Sequence, residues 1–305
     1  MVSIGLPVFN GEKFLGRALD SLLGQTMRDF ELIITDNASE DATEQICRAY
    51  ARRDRRIRYM RNPVNVGAPR NFNRAFEVSD SKYFKWATAD DFCGPEFLEL
   101  AFAVLERDAE VVLCYAKTTT VSADGAPLGE YEDHLHLTDD SARHRFTRLV
   151  TTIGLCHQHQ GLMRSAALRK TRRLRDHMGS DLNLLAELTL YGKFHELPQR
   201  LFFRRLHEGS SSWARDDMTR QRAFYDPGGA HGIVLHGWRQ HAADLDAIRR
   251  SEISVGEKMA LYRFVAHRMM WDGRRLAGEL GLMARVFARG ARRRRTRRGR
   301  VGSTP

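Results

Sequence analysis

The chain has 305 residues, of which 42% are hydrophobic and 29% are charged. This length and composition fit one large domain or two ordinary domains with a full core, and they argue against disorder. The apolar runs fall short of the roughly 18 residues that a membrane-spanning helix needs, which excludes an integral membrane protein.

Two further features indicate the compartment. The first ten residues, MVSIGLPVFN, lack the basic start and the apolar core of a signal peptide, so we expect a cytoplasmic protein. The cysteines are widely spaced and form no CxxC pair, which predicts reduced thiols and neither a disulfide framework nor a zinc site. They are Cys47, Cys93, Cys114 and Cys156.

The formal net charge of +11 is concentrated near one end of the sequence. Arg289–Arg300 contains eight arginines and no acid, which leaves +3 for the remainder. We interpret this run as a solvated, disordered tail. Attraction to anionic lipid is a second interpretation, because apolar residues such as Trp271 are spread through the basic helical stretch before it. Nucleic-acid binding is disfavoured, since no aromatic residues interleave with these arginines.

Strand and helix patterns alternate through the first third of the sequence. Short apolar runs predict strands at Val2–Phe9, Phe30–Thr35, Ile57–Arg61, Tyr83–Ala87 and Val111–Tyr115. Helical spacing predicts helices at Phe14–Leu22, from Asp41 to about Arg53, at Gly67–Val78 and from Pro95 to about Arg107. The alternation predicts an α/β fold with a mostly parallel, Rossmann-like sheet flanked by helices. Ligands of such sheets bind at the carboxyl ends of the strands.

The rest of the sequence is less regular. Residues 117–164 show weak periodicity and contain four closely spaced histidines (His134, His136, His157 and His159). No cysteine or acid stands at ligand spacing from His157 and His159, so we expect no metal site there. A helix is predicted at Asp181–Tyr191 and a short strand at Leu201–Leu206, followed by a flexible segment at Gly209–Ser212. Helical extensions are predicted at Asp216–Arg250 and Glu257–Arg289.

Asp90 and Asp91 are the most informative pair of side chains. Two adjacent carboxylates directly after a strand repel each other, and a hard cation such as Mg²⁺ or Mn²⁺ would relieve that repulsion. A turn that leads into the helix after Pro95 explains the same residues, and the pair alone favours this simpler interpretation.

Four more side chains are candidates, each with an ordinary structural alternative. Asp36, at the end of the second strand, is equally well explained by a nucleotide contact or by an Asx-turn. Arg70, in the first turns of a helix, is suited to phosphate, although a solvated helix start is favoured. Asp181 is a candidate general base, but its position favours a helix N-cap. His207 is a candidate ligand for metal or diphosphate, and a surface histidine is favoured.

Taken in order, these elements resemble a known family. The chain from Val2 to Thr43 is similar to the opening of the inverting glycosyltransferases of family 2, which have the GT-A fold. The shared features are a strand ending Pro-x-aromatic-Asn, a helix ending Ser-Leu-Leu-x-Gln-Thr and a strand ending Asp-Asn-x-Ser-x-Asp. Asn65-x-Gly67 and Asp90-Asp91 follow in the family's order. The resemblance is strong to Tyr115 and extends weakly to about Ser212.

The resemblance implies a role for each matching residue. Pro7, Phe9 and Glu12 would lie against the nucleotide, with Asp36 on the base and Arg70 near the phosphates. Asp90 and Asp91 stand at the metal-binding DxD-like motif, with Asp91 as the ligand of Mg²⁺ or Mn²⁺, although Ala89 replaces an acid that some members have. Asp181 aligns with the catalytic base, preceded by Ser180 where many members have Glu. His207 resembles a histidine that helps to hold the diphosphate or the metal.

The resemblance also implies an organisation and an activity. Residues 1–212 would form the GT-A domain, with a nucleotide-sugar-binding half at 1–115 and an acceptor-binding half at 116–212. Residues 213–288 would form a helical C-terminal region, and residues 289–305 the Arg-rich tail. The expected activity is transfer of a sugar from a UDP- or dTDP-sugar to a hydroxyl of a saccharide or glycolipid acceptor, with inversion, in cell-envelope synthesis.

Two alternatives remain open from the sequence. A sugar-phosphate nucleotidyltransferase would carry a Gly-rich, basic loop after the first strand, and Pro7–Glu12 does not fit that pattern. A non-catalytic binding protein recruited to the membrane by its arginines is disfavoured by the retained acids.

Overall fold

A computed structural model describes residues 1–210, 224–225, 227–228 and 235–285. The alternating first third forms parallel strands joined by helices. The strands are β1 (Val2–Val8), β2 (Phe30–Asp36), β3 (Ile57–Arg61) and β4 (Tyr83–Trp86), and the helices are α1 (Glu12–Leu23), α2 (Thr43–Arg53), α3 (Ala68–Glu77) and α4 (Phe97–Arg107). They confirm the predicted order of elements. The four strands pair in parallel in the order β3-β2-β1-β4, so their carboxyl ends meet at one edge.

The sheet continues beyond β4 as a mixed sheet. The further strands are β5 (Phe92–Cys93), β6 (Val111–Val121), β7 (Pro127–Tyr131), β8 (Leu162–Arg164) and β9 (Lys193–Arg205). Strand β8 is antiparallel to both β4 and β6, whereas β6 and β9 are parallel. The mostly parallel pairing expected from the sequence therefore describes the first half of the sheet, and antiparallel neighbours enter in the second half.

Strands β6 and β9 are both longer than their sequence patterns indicate. The predicted strand Leu201–Leu206 is the end of a 13-residue strand that contains Pro198. The pairing steps from Ala116–Leu197 to Lys117–Arg200, so Pro198 lies in a bulge of β9. A proline is accepted at such a bulge because it has no N–H for the ladder, and it masks the strand pattern in the sequence.

The second half also contributes several helices. They are α5 (Ala142–Thr152), a 3₁₀ turn at His157–Gln160, α6 (Ser165–Lys170), α7 (Ser180–Thr189), α8 (His236–Arg250) and α9 (Val255–Trp271), with a further helix over residues 273–285. The helix predicted at Asp216–Arg250 is seen from His236 onward, residues 227–228 form a turn, and residues 216–223, 226 and 229–234 lie outside the described part. The helix predicted at Glu257–Arg289 is interrupted by a turn at Asp272. The Arg-rich tail at 289–305 lies outside the described residues.

Alternating side chains of the sheet pack into two hydrophobic cores, one on each face. One core joins Ile4 and Leu6 of β1 to Leu19 of α1 and Leu98 of α4. The other lies on the opposite face and joins Trp86 of β4 to helices of the second half. Ile248, Leu261 and Val265 enter this second core, so α8 and α9 pack on the same body as the sheet. Among the described residues, no helix is both long and apolar enough to cross a bilayer.

Candidate functional site

The loops after β1 and β2 are joined by hydrogen bonds at the carboxyl edge. The backbone N–H of Asn10 donates to Ser39 Oγ at 3.0 Å. Glu12 accepts from the Ala42 N–H at 2.8 Å and donates its own N–H to Asp41 at 3.0 Å. Pro7 is buried in β1, whereas Phe9 is 46% exposed at its end. An exposed ring at this edge offers a flat apolar surface against which a base can stack.

Asp36 is fully buried at the end of β2 and is already well supplied with donors. Its carboxylate accepts from the Ser39 N–H at 2.8 Å, the Tyr59 hydroxyl at 2.7 Å and the Arg61 guanidinium at 2.8 Å. Burial opposes ionisation, but these hydrogen bonds outweigh it and lower the pKa of Asp36. The hydrogen bond from the Ser39 N–H gives Asp36 a structural role in this turn. The contact of Asp36 with the nucleobase stays a prediction.

A cluster of asparagines, which includes Asn65 of the motif Asn65-x-Gly67, fixes the start of α3. Asn37 donates to Asn65 Oδ1 at 2.7 Å, and Asn62 donates to Asn37 Oδ1 and to Asn71 Oδ1 at 2.9 Å each. Gly67 follows with a φ of +86°, and a Cβ there would lie 2.6 Å from the Tyr225 carbonyl. The glycine is therefore required twice, by its backbone angle and by the close approach.

Arg70 projects from the first turn of α3. Its guanidinium is 60% exposed and lies 3.5 Å from the Asp176 carboxylate. An ion pair this exposed is weak, so the guanidinium is available to a phosphate at little cost. The phosphate role of Arg70 stays a prediction.

Asp90 and Asp91 lie in the loop between β4 and β5, and the end of β9 closes over them. The Arg205 N–H donates to Asp91 Oδ1 at 2.8 Å across 114 residues of sequence, and the Thr88 hydroxyl donates to Asp91 Oδ2 at 2.9 Å. His207 Nε2 lies 3.1 Å from Asp90 Oδ2. The structure thus brings the predicted acid pair and the predicted histidine into direct contact.

The two adjacent carboxyl groups differ in their ionisation. Burial, followed by the charge of Asp90, raises the pKa of Asp91 to about 7. Burial acts on Asp90 as well, but the hydrogen bonds from His207 and Thr88, together with the charge of His207, outweigh it and lower the pKa of Asp90. Two carboxylates side by side cannot both ionise cheaply without a nearby cation.

Asp181 lies in the first turn of α7, but it is not the N-cap. The N-cap is Gly179, with a left-handed φ of +80°, and the helix begins at Ser180. The capping interpretation of Asp181 is therefore wrong. The carboxylate accepts only from the adjacent Leu182 N–H at 2.9 Å among the described residues. A half-buried acid that does not cap its helix keeps acceptor capacity for a ligand.

Asp90, Asp91 and Asp181 line one cavity of about 150 Å³, together with Thr88 and Ala68 at the start of α3. The cavity lies at the carboxyl edge of the sheet, where ligands of α/β sheets bind. Acids that are about ninety residues apart in sequence therefore face one space.

Several residues of the same cavity were not among the candidates from the sequence. His157, His159 and Gln160 of the 3₁₀ turn form one wall, and Arg204 of β9 lies beside them. Burial lowers the pKa of both His157 and His159 to about 4, so both rings are neutral at pH 7. His159 stacks on Trp86 with ring centroids 5.0 Å apart. The weak signal for this wall was the repeated His-Gln before a very short strand.

The helix that carries Asp181 is held by the C-terminal helices. Asn183 donates to Asp244 Oδ1 at 2.6 Å and to the Gln240 carbonyl at 3.1 Å, and its Oδ1 lies 3.0 Å from His177 Nε2. Asp244 also accepts from Arg268 at 3.2 Å. Burial raises the pKa of Asp244 to about 6. Contacts on both sides of Asp181 thus fix its position relative to the sheet.

Residues 3–172 match the family described as Glycosyl transferase family 2. The match covers more than half of the chain, and the chain belongs to this family. The membership agrees with the resemblance identified from the sequence.

Characterised and uncharacterised relatives match parts of the chain. An uncharacterized glycosyltransferase of Methanocaldococcus jannaschii is 28% identical over 153 residues, which is 50% of this chain and 53% of that protein. Chondroitin synthase of Escherichia coli is 23% identical over 227 residues, which is 73% of this chain and 32% of the synthase. The chain therefore matches about half or less of the length of these relatives.

Solved structures show the same fold. S. aureus TarS 1–349 in complex with UDP superposes with a TM-score of 0.64 at 15% identity, over 88% of this chain and 71% of that chain. The mannosyltransferase PcManGT from Pyrobaculum calidifontis, in complex with GDP-Man and Mn²⁺, has a TM-score of 0.56 at 16% identity, over 95% and 79% of the two chains. These neighbours confirm the expected GT-A fold with its helical C-terminal region.

Proposed function

We propose that this protein is a metal-dependent inverting glycosyltransferase that moves a sugar from a nucleoside diphosphate to a hydroxyl group. One observation carries the proposal: the Asp90-Asp91 pair and Asp181 line a single cavity at the carboxyl edge of the sheet, in a chain of glycosyl transferase family 2. A sugar-phosphate nucleotidyltransferase and a non-catalytic binding protein have no comparable support.

The nucleotide would bind over the ends of β1 and β2. Phe9 offers an exposed ring, and Glu12 and Pro7 border the same edge. Asp36 would accept an N–H of the base in exchange for one of its present donors. UDP or dTDP is the expected nucleotide, and the solved TarS complexes with UDP and UDP-GlcNAc support this choice.

A divalent cation fits the acid pair. The described residues contain no preformed group of three or more metal-binding side chains. Burial and the charge of Asp90 raise the pKa of Asp91, and a cation bound beside the pair would oppose both effects. Mg²⁺ and Mn²⁺ commonly bind through one or two carboxylates plus substrate phosphates, so Asp91 would be the protein ligand, with Asp90 and His207 beside it. The cation would neutralise charge on the departing diphosphate. Mn²⁺ in the PcManGT complex supports the choice of metal.

Two arginines of the chain are placed to assist the leaving group. Arg204 is half-buried in the cavity wall, and Arg70 lies at the start of α3, which borders the cavity through Ala68 and Pro69. Arginine forms paired hydrogen bonds with phosphate oxygens, and in a partly buried site these are stronger than in water.

Asp181 would act as the general base. It takes the proton of the acceptor hydroxyl while that oxygen forms a bond to the anomeric carbon, and the bond from this carbon to the phosphate oxygen breaks. The electron pair leaves with the nucleoside diphosphate. A single in-line displacement of this kind inverts the anomeric configuration and needs no covalent intermediate with the enzyme.

The acceptor is proposed to be a saccharide or a glycolipid of the cell envelope, made on the cytoplasmic side. The relatives support this class, since they include chondroitin synthase and the poly(ribitol-phosphate) beta-glucosyltransferase of Bacillus spizizenii, which is 28% identical over 137 residues. The wall formed by His157–Gln160 faces the cavity from the second half of the chain, where the acceptor would enter.

A donor panel tests the proposal. The full chain is incubated with UDP-, dTDP- and GDP-sugars, each with Mn²⁺ or EDTA, and released nucleoside diphosphate and product anomer are measured. We expect Mn²⁺-dependent turnover of one donor class and an inverted product. Asp80→Asn serves as the matched control, because Asp80 is an exposed acid outside the cavity. Binding of nucleotide without turnover under all conditions would support the non-catalytic alternative.

A further inference from the structure

Helix α9 has an exposed apolar side. Leu261 and Val265 are fully buried against the core, whereas Val255, Met259 and Met270 are 77%, 50% and 67% exposed. Residues four and eleven positions apart return to the same side of an α-helix, so these three form one stripe. Their separation of fifteen residues corresponds to a stripe of roughly 22 Å.

Two more large apolar side chains are exposed at the end of α9 and on the helix after it. Trp271 is 79% exposed and Leu282 is 54% exposed. A Cβ placed on Gly256 or Gly273 would have no neighbour within 4 Å among the described residues. We name Val255, Met259, Met270, Trp271 and Leu282 the C-terminal apolar face. Large apolar groups concentrated on one surface mark an interaction site, whereas scattered ones do not.

The part of the sequence that contains this face is strongly basic. Residues 255–305 contain fourteen arginines and lysines and three acids, which accounts for the whole net charge of +11. Residues 1–254 are therefore balanced. Arg263, which falls within the stripe, and Arg274 are exposed and form no ion pair with the described residues. The excess of basic residues therefore lies in the same part of the sequence as these exposed apolar side chains.

We propose that the C-terminal apolar face binds the surface of an anionic lipid bilayer. Met259, Met270 and Trp271 would enter the headgroup region, and the arginines would contact lipid phosphates. Helices that combine Trp and Leu on one side with Arg on the rest lie in this interface rather than spanning the bilayer. The proposal goes beyond sugar transfer and does not depend on it.

Charge and apolar area together favour a bilayer over the other possible partners of the C-terminal apolar face. A second copy of the chain would bring two strongly basic C-terminal segments together, and like charges oppose that contact. A nucleic acid would match the charge but would leave the exposed aliphatic side chains in water. An anionic bilayer satisfies both the charge and the apolar area.

Vesicle flotation with the full chain tests this proposal. Vesicles of phosphatidylcholine alone are compared with vesicles that contain about 30% phosphatidylglycerol, since each Arg near an anionic surface adds to binding. We expect flotation only with the anionic vesicles, and weaker binding as salt rises from about 0.1 M to about 0.5 M. The double variant Met270→Ala/Trp271→Ala should reduce the partition coefficient at least ~10-fold, because it removes buried apolar area. The control Leu128→Ala removes another exposed apolar side chain, at 59%, from strand β7 and should bind like the wild type.

Further measurements separate the alternatives. The bound wild type should show a blue shift of tryptophan emission, which Trp271→Phe should abolish while vesicle binding persists. Equal binding to neutral and anionic vesicles, or unchanged binding of the double variant, would overturn the proposal. A concentration-dependent dimer in sedimentation that Met270→Glu disrupts, or RNA binding without vesicle binding, would overturn it in favour of those partners. Because all of the substituted side chains are exposed, the variants should have the melting temperature of the wild type. A lower melting temperature would reveal a folding defect.

Discussion

Replacing Asp181 by Asn separates a catalytic role from a structural one. The structure excludes capping, because Gly179 is the N-cap and Asp181 follows Ser180 in the first turn. The remaining structural contribution is the interaction of the carboxylate with the helix dipole, which is about 0.3–1 kcal/mol. Asn keeps the size of the side chain and its acceptor oxygen for the Leu182 N–H. The melting temperature should therefore fall by only a few degrees.

The effect on the reaction should be much larger. Loss of a general base reduces the rate by about 10²–10⁴-fold. The lower end of that range already corresponds to about 2.7 kcal/mol in the barrier, which exceeds the expected loss of stability. We therefore expect a folded variant that binds donor nucleotide like the wild type and transfers sugar at least ~10²-fold more slowly.

Three measurements on the same preparation decide the outcome: thermal unfolding, donor nucleotide affinity and initial rate of transfer. Wild-type turnover with unchanged affinity and melting temperature would refute the assignment of Asp181 as base. The search would then move to Glu187, which is buried beside Arg250, or to Asp176, which pairs with Arg70.

The remaining predictions concern the metal, the nucleotide and pH. Asp91→Asn should abolish transfer at limiting Mn²⁺ while circular dichroism stays unchanged, and near-normal turnover there would remove Asp91 from the metal site. Asp36→Asn should raise the donor KM more than it lowers kcat, because Asp36 lies at the end of β2 and outside the cavity that contains Asp90, Asp91 and Asp181. An unchanged KM would contradict the contact between Asp36 and the nucleobase. Asp244 has a folded pKa of about 6, above its ordinary 3.8, so its protonation stabilises the fold as pH falls from about 6 towards 4. Relative to Asp244→Asn, the wild type should gain up to about 3 kcal/mol of unfolding free energy over that window in urea titrations, and a difference that does not vary with pH would contradict the assignment.

The first half of the fold could be predicted because its signals are local. Apolar runs and helical spacing are set by near neighbours in sequence, and they gave β3 at Ile57–Arg61 as the structure has it. Since parallel strands end at one edge, residues at strand ends such as Asp36 and Asp90 can be assigned to one side of the sheet from the sequence alone. The local pattern fails where β9 passes through Pro198, because only pairing with β6 reveals that the bulge belongs to a strand.

The position of Asp181 shows where local signals mislead. A carboxylate before an apolar helix looks like an N-cap, yet Gly179 takes that position with a left-handed backbone. A Cβ on Gly179 would lie 2.1 Å from the amide of Gln240, a residue of α8. The helix start is thus set partly by a distant helix, which sequence spacing around Asp181 could not show.

The sequence by itself determined the alternation of strands and helices, the family, and the acids at the strand ends, because each depends on residues within one or two elements. Tertiary structure alone decided which side chains share the cavity. Arg205 reaches Asp91 across 114 residues, and the His157–Gln160 turn and Arg204 close the same space from two other segments. Such contacts form only when β9 is aligned along β6, and the free energy that fixes this alignment comes from burying both strands and their helices together, which no single segment encodes.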